Sequence, residues 1–208
     1  MIASDTIQVE TSFRFETISP SEEVYNLVYV LHGYGQLVRY FKEKFIGTQK
    51  PHTLFVFPEG KHRFYLNGVS GRVGASWMTK EWREDDIQFN INALNSLHKQ
   101  LTTKYSSIKT ITVLGFSQGG ATAARWIASA GFSCNHFISW ASVFPPDVTI
   151  VSFEHIAEKT TFVVGKNDEY FPEKTRVEHC DWYKKLGAEI ITFDGKHDIH
   201  IETLNQLL

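Results

Sequence analysis

Residues 111 to 120 read Ile-Thr-Val-Leu-Gly-Phe-Ser-Gln-Gly-Gly. A β-branched apolar run stops at Gly115 and a small-residue helical pattern begins after Ser117, which predicts a strand, a sharp turn and a helix with a serine at the tip. The spacing Gly115-x-Ser117-x-Gly119 suits a nucleophile elbow. The serine of such an elbow is held in a strained backbone conformation, and neighbours without side chains let the turn close and the helix pack on the strand. The strain lifts the hydroxyl above the sheet and aims the next amide N–H at the same spot. The bare spacing is a weak signal, and its alternative is an ordinary Gly-rich strand-to-helix turn. The strand before it and the helix after it give it weight.

An elbow serine needs an acid and a histidine, which follow it in the order Ser, Asp or Glu, His on loops after later strands. Thr160 to Gly165 reads as a strand, and Asp168 lies in the loop beyond it. Glu189 to Phe193 reads as another strand, and His197 lies in the loop past its end. A neutral imidazole can take the serine proton, while a carboxylate behind it fixes the tautomer and stabilises the imidazolium.

Both assignments have rivals. Glu169 adjoins Asp168 but sits one residue deeper in its loop. Asp194 is too close to its strand end and to His197 to reach behind that ring easily. His200 falls within a final helical pattern, Asp198 to Leu208, where a histidine is more often a surface or packing residue. His197-x-x-His200 as a metal pair lacks a clear third ligand, so no metal and no cofactor are expected.

An oxyanion hole needs two donors. One is the backbone N–H of Gln118, after the nucleophile; the other should lie in the loop after an earlier strand. Leu27 to Leu31 is that strand and His32-Gly33-Tyr34-Gly35 follows it, so Tyr34 N–H is the second candidate, with the glycines allowing close backbone approach. The alternatives are a glycine turn that merely reverses the chain, or a nucleotide site; the latter fails because Val38 stands where a third glycine would be needed.

Strands are expected at Gln8–Phe15, Leu27–Leu31, Thr53–Phe57, Thr110–Leu114, His136–Trp140, Thr161–Val164 and Glu189–Phe193. Helices are expected near Gln36–Phe45, Glu84–Tyr105, Gly119–Ala130, Pro172–Leu186 and Ile199–Leu207. In Glu84–Tyr105 a stripe of Ile87, Ile91, Leu94, Leu97 (or His98) and Leu101 predicts one buried face. Alternating strands and helices imply a mostly parallel sheet covered on both faces, with the first strand antiparallel at the edge. Residues 1–208 read as one domain. Gly60 to Arg83 fits no element. A loop of that length is usually functional, and its Trp77 and Met78, with Gly33, are expected to line a substrate pocket. The alternative is that its aromatics only anchor the loop.

The chain resembles the phospholipase/carboxylesterase group of small serine hydrolases, which includes acyl-protein thioesterases and lysophospholipases. The resemblance runs from about residue 25 to the end and rests on Leu31-His32-Gly33, Phe57-Pro58, Trp77, Gly115-Phe116-Ser117-Gln118-Gly119-Gly120, Asp168 and Gly195-Lys196-His197-Asp198-Ile199. It implies an α/β-hydrolase fold without a separate cap domain. It also implies a Ser117–Asp168–His197 triad, an oxyanion hole at Tyr34 and Gln118, and hydrolysis of esters or thioesters of small to medium acyl groups. Two segments depart from the group's pattern. Tyr34-Gly35-Gln36 stands where Leu-Gly-Asp is usual, and Trp77-Met78-Thr79 where Trp is usually followed by an aromatic and Asp. Lysophospholipid or acyl-protein activity therefore does not carry over, whereas simple ester hydrolysis does. The competing class is a non-catalytic binding protein that kept the fold.

Composition agrees. The chain of 208 residues has a formal net charge of −2 with mixed charges, so neither a basic stripe for nucleic acid nor an acidic tail appears. The start, Met-Ile-Ala-Ser-Asp-Thr, lacks the basic and apolar regions of a signal peptide, and the apolar runs are too short for stable membrane insertion. Cys134 and Cys180 make no framework, which suits reduced thiols in a cytoplasm. The expected partner is a small-molecule ester or thioester, and a homodimer is compatible with the sequence.

Overall fold

The computed structural model describes residues 7, 9–48, 50–129, 132–149 and 157–208. A seven-stranded sheet runs in the order β1-β3-β2-β6-β7-β8-β9. Its strands are β1 (Phe15–Ile18), β2 (Asn26–Leu31), β3 (Thr53–Pro58), β6 (Thr110–Phe116), β7 (Cys134–Trp140), β8 (Ala157–Gly165) and β9 (Glu189–Phe193). All neighbours pair in parallel except β1, which pairs antiparallel with β3. The central strands are buried on both faces, so they read as near-continuous apolar runs such as Leu54-Phe55-Val56-Phe57. Each fully buried Phe or Trp contributes about 1.5–3 kcal/mol; Phe57, Trp126, Trp140 and Phe162 are among them.

The helices are α1 (Val38–Phe41), continued as a 3₁₀ helix Lys42–Thr48, then α2 (Arg83–Lys104), α3 (Gln118–Ser129), α4 (Glu173–Lys185) and α5 (Ile201–Leu207). Among the described residues no helix is long and apolar enough to cross a membrane.

Four expectations need correction. The first strand begins at Phe15 rather than ending there, and it lies at the edge against β3, with Phe15 opposite Pro58 and Ile18 opposite Phe55; Gln8 is outside the described residues. The helix expected at Gln36–Phe45 is one α turn and then 3₁₀. The Gln36 side chain is occupied with Gly33 N–H (2.8 Å), and Glu59 Oε2 accepts Val38 N–H (3.1 Å), which starts the helix two residues late. The helix expected at Gly119–Ala130 is present from Gln118, and Ala130 lies outside the described residues. In α2 the buried face is Asp86, Asn90, Leu94, Leu97 and Leu101. It is turned one residue at its start because Asp86 meets Lys61 and His62, and Asn90 Nδ2 donates to Trp77 O.

The fourth correction concerns Gly60–Arg83. Most of it is a two-stranded hairpin, β4 (His62–Asn67) with β5 (Ser70–Ser76). Asn67 pairs with Ser70 across a Gly68-Val69 turn, and Gly68 has φ 62°, the positive φ that short hairpin loops favour.

Candidate active site

In a parallel sheet all C-terminal strand ends lie on one edge, where loops gather and ligands bind. Here that edge receives His32–Gln36 from β2, Ser117 from β6, Ala141–Ser142 from β7, Asp168 from β8 and His197 from β9.

Ser117 joins β6 directly to α3 with φ 52°, a conformation that costs a non-glycine residue about 1–3 kcal/mol. Its N–H donates to Trp140 O at the end of β7 (2.8 Å). The flanking glycines are required by contact. A Cβ on Gly115 would collide with Gly120 backbone, one on Gly119 with the Leu31 carbonyl, and one on Gly120 with Ser142 Cβ. Gln118 is the first residue of α3, so its N–H lacks an intrahelical partner and carries the positive end of the helix dipole.

Asp168, 3% exposed, places Oδ2 2.7 Å from His197 Nδ1, and its Oδ1 accepts the Tyr170 N–H at 2.9 Å. An ionised carboxylate only accepts, so Nδ1 carries the proton and Nε2 keeps its lone pair. The imidazole packs against two rings, Phe116 at 4.9 Å and Tyr170 at 4.6 Å between centroids. Because Phe116 directly precedes Ser117, the packed imidazole sits beside the elbow. Trp140 ties the same parts a second way, its Nε1 donating to Asp198 O at 3.0 Å.

The rivals lie elsewhere. Glu169 is exposed and accepts His197 N–H through Oε2 (3.4 Å). Its own backbone N–H first, and then that of His197, hold its carboxyl below the usual glutamate value. Asp194 pairs with Lys166 at 3.3 Å. The last helix begins at Ile201, later than Asp198, and His200 caps it in extended conformation. His200 Nδ1 meets Thr203 Oγ1 at 2.9 Å, Nε2 meets Glu202 at 3.1 Å, and the ring stacks on Phe193. Among the described residues no cluster of three or more His, Cys, Asp or Glu side chains could hold a metal.

The loop after β2 rests on buried groups. His32 is enclosed, and burial pushes its imidazole down to about 4 against the opposing pull of the Gly33 carbonyl. Gly60 N–H donates to Nε2 (3.0 Å), so Nδ1 is the protonated nitrogen and donates to Gly33 O (2.8 Å). Gly33 N–H and Gly35 N–H are used by Gln36 Oε1 and Ala75 O, both at 2.8 Å. Tyr34 is 61% exposed and stacks on Phe64 at 5.1 Å.

Trp77 does not line an open pocket. Its side chain is fully buried, stacks on His32 at 4.9 Å and donates from Nε1 to His32 O at 2.8 Å. It supports the loop after β2, which is the packing alternative. Met78 is half-buried with Sδ 3.9 Å from Arg125 Nη1. Its carbonyl accepts Gln118 Nε2 (3.0 Å), and Gln118 Oε1 accepts Trp77 N–H (3.1 Å). The segment after β5 thereby fixes the Gln118 side chain. Gly33 belongs to the loop itself, its Cα facing the Phe116 ring so closely that a Cβ there would clash.

Sequence reasoning did not single out three groups found here. Tyr170 and Phe116 are ordinary aromatics until the fold brings them to His197. Arg125, buried on α3, pairs with Asp147 through two 2.7 Å contacts. Nothing in its spacing marks it.

The fold, the elbow and the Asp168–His197 pair define an α/β hydrolase. The chain belongs to the phospholipase/carboxylesterase family, whose family model matches residues 13–207, and its class of reaction is carboxylic-ester hydrolysis. Similar solved structures include esterase PE8 (19% identity, 95% of this chain and 98% of that one, TM-score 0.73). Others are acyl-protein thioesterase 2 of Zea mays (17%, 93% and 95%, TM-score 0.69) and a carboxylesterase of Bacillus cereus (13%, 94% and 91%, TM-score 0.68). At these identities the likeness bears on the fold. No curated protein compared matches the sequence.

Proposed function

We propose that this protein hydrolyses carboxylic esters or thioesters of small to medium acyl groups through an acyl-enzyme on Ser117. The observation that carries the reading is the 2.7 Å bond between Asp168 Oδ2 and His197 Nδ1, with the imidazole packed on Phe116 beside a serine at φ 52°. His197 Nε2 takes the Ser117 proton as Oγ attacks the acyl carbon, and Asp168 steadies the imidazolium. The tetrahedral oxyanion is met by the N–H groups of Gln118 and Tyr34; Gly33, Gly35 and Gln36 already spend theirs within the protein. Such a preorganised pair is worth several kcal/mol in the transition state. His197 then gives its proton to the leaving alcohol or thiol, water enters, and the same groups release the acid.

The site as we read it needs no cofactor and is bordered by the exposed rings of Tyr34 and Tyr170. The departures at Tyr34-Gly35-Gln36 and Trp77-Met78-Thr79 argue for simple esters over lysophospholipids or acyl-proteins. One domain is inferred, since the sheet draws strands from residue 15 to residue 193. A cytoplasmic location fits the reduced cysteines, and a homodimer is left to measurement by light scattering. The test is labelling with a fluorophosphonate probe, peptide mapping, and a p-nitrophenyl ester panel of increasing acyl length. Adduct on Ser117 with burst kinetics is expected. Binding of esters without adduct or turnover would instead favour a ligand receptor.

A further inference from the structure

A cavity of about 750 Å³ lies on the opposite side of the hairpin from the Tyr34 ring. Adjacent strand residues face opposite ways. Phe64 of β4 stacks on Tyr34, while its neighbour Arg63 lines the cavity with Val73 of β5. We infer that this groove is a binding site for an amphipathic anion, a molecule with one alkyl chain and an anionic oxygen head group.

The lining has two chemistries. Leu37, Val38 and Val73, with the chain at Phe15, give it an apolar floor; the Phe13 ring packs on Phe89 on the other face. Arg14, Arg39 and Arg63 bring guanidinium groups, and Glu16 and Glu59 bring carboxylates. Both carboxylates are already engaged. Glu59 Oε1 accepts Arg63 Nε at 2.9 Å while Oε2 accepts Val38 N–H, and Glu16 pairs with Lys42. Arg39 lies over the Tyr40 ring at 4.8 Å. Among the described residues neither Arg39 nor Arg14 has a carboxylate partner, so two positive charges border an apolar groove without compensation. A bare anion would leave the floor wet, and an uncharged chain would leave the guanidiniums in water. An amphiphile with an anionic head satisfies both. Guanidinium forks match carboxylate and phosphate oxygens alike, and the volume falls within the roughly 300–1,000 Å³ of small-molecule sites.

The site is separate from the proposed catalytic groups, so it does not depend on the ester-hydrolysis reading. Dodecanoate, dodecyl phosphate, dodecanol and inorganic phosphate would be titrated calorimetrically into the Ser117→Ala protein, below micellar concentrations. The same titrations would use that protein carrying Arg14→Gln and Arg39→Gln, both exposed positions. The two charged amphiphiles should bind, and the Kd of the tighter one should rise about 10- to 100-fold in the arginine variant, as expected for losing charge-assisted contacts. The tighter of the two identifies the head group. Dodecanol should bind more weakly and be unaffected by the substitutions. An acyl acid held at Ser117 would be insensitive to them. Unchanged Kd values for the anions, dodecanol binding as tightly as they do, or inorganic phosphate matching them would each overturn the inference. In the Ser117 background the same arginine substitutions should leave p-nitrophenyl acetate hydrolysis within about twofold, since surface changes of this kind are small in effect. An inactive protein with an intact groove would fail the hydrolase reading alone.

Discussion

Replacing Asp168 by Asn changes one atom in a buried site, and the geometry fixes what that atom must do. Oδ1 accepts the Tyr170 N–H at 2.9 Å, so it must remain an oxygen in the variant. The new NH₂ then occupies the Oδ2 position, 2.7 Å from His197 Nδ1. Two donors cannot share a hydrogen bond, so the imidazole must shift its proton to Nε2 and present an N–H to Ser117 in place of a lone pair. Flipping the amide only moves the conflict, because NH₂ would then face the Tyr170 N–H inside a site that Asp168 fills with 3% exposure. A wrong tautomer in such a triad lowers kcat by about 10⁴-fold, roughly 5 kcal/mol of transition-state stabilisation. The assay is kcat/KM on p-nitrophenyl acetate, with the rate of fluorophosphonate labelling as a second readout and thermal melting to verify folding. Activity within about tenfold of wild type in a folded Asp168→Asn protein would refute the argument, since the tautomer would then be set by something else.

His197→Ala should cost about as much as losing the serine, whereas His200→Ala, whose ring is spent on Thr203, Glu202 and Phe193, should cost less than about tenfold in kcat/KM. Trp77→Ala should lower stability by about 3–5 kcal/mol, as large-to-small changes at buried aromatics do, and reduce turnover across all acyl lengths together; a change in acyl preference without a fall in Tm would contradict its role as a support. Acid should weaken the fold in a defined window. Burial depresses both His32 and His136 to about 4, below their unfolded value near 6.5. Their neutral forms therefore favour the folded state above about pH 6.5, and that contribution is lost progressively as pH falls towards 4. Chemical denaturation at pH 7, 5.5 and 4.5 measures this, and a wild-type stability independent of pH over that range would be the contrary result.

What the sequence displayed clearly was local or periodic. The elbow is written in consecutive residues, and the ends of β8 and β9 placed Asp168 and His197 on loops at one sheet edge. Gly60–Arg83 reads as irregular from its aromatics and scattered glycines, and the hairpin signal it holds is the short Gly68-Val69 dipeptide between Asn67 and Ser70. The rotation of the buried face of α2 was invisible for another reason. Apolar spacing favours Ile87 and Ile91, but Asp86 and Asn90 are drawn inward by hydrogen-bonding partners on other segments. The burial of Trp77 follows from a bond to His32, far away in the chain, and no local pattern reports such a contact. The same holds for Tyr170, whose place against His197 exists only once β8 and β9 are side by side.

Trp140 holds both halves of the proposed catalytic apparatus, its carbonyl gripping the Ser117 amide and its indole the Asp198 carbonyl. The elbow can be assembled once β6 and β7 have paired. The imidazole arrives only with the loop that follows β9, at the sheet's far edge. On the proposed assignment, a chain whose central strands pair before that loop docks has its nucleophile in place before its base. Such a chain should leave esters intact. Recovery of activity after dilution from denaturant is therefore expected to report the docking of that last loop and to lag behind signals from the central strands. Indole fluorescence of Trp140, whose ring packs on Phe193 at 5.7 Å, is placed to register the same event from inside the protein.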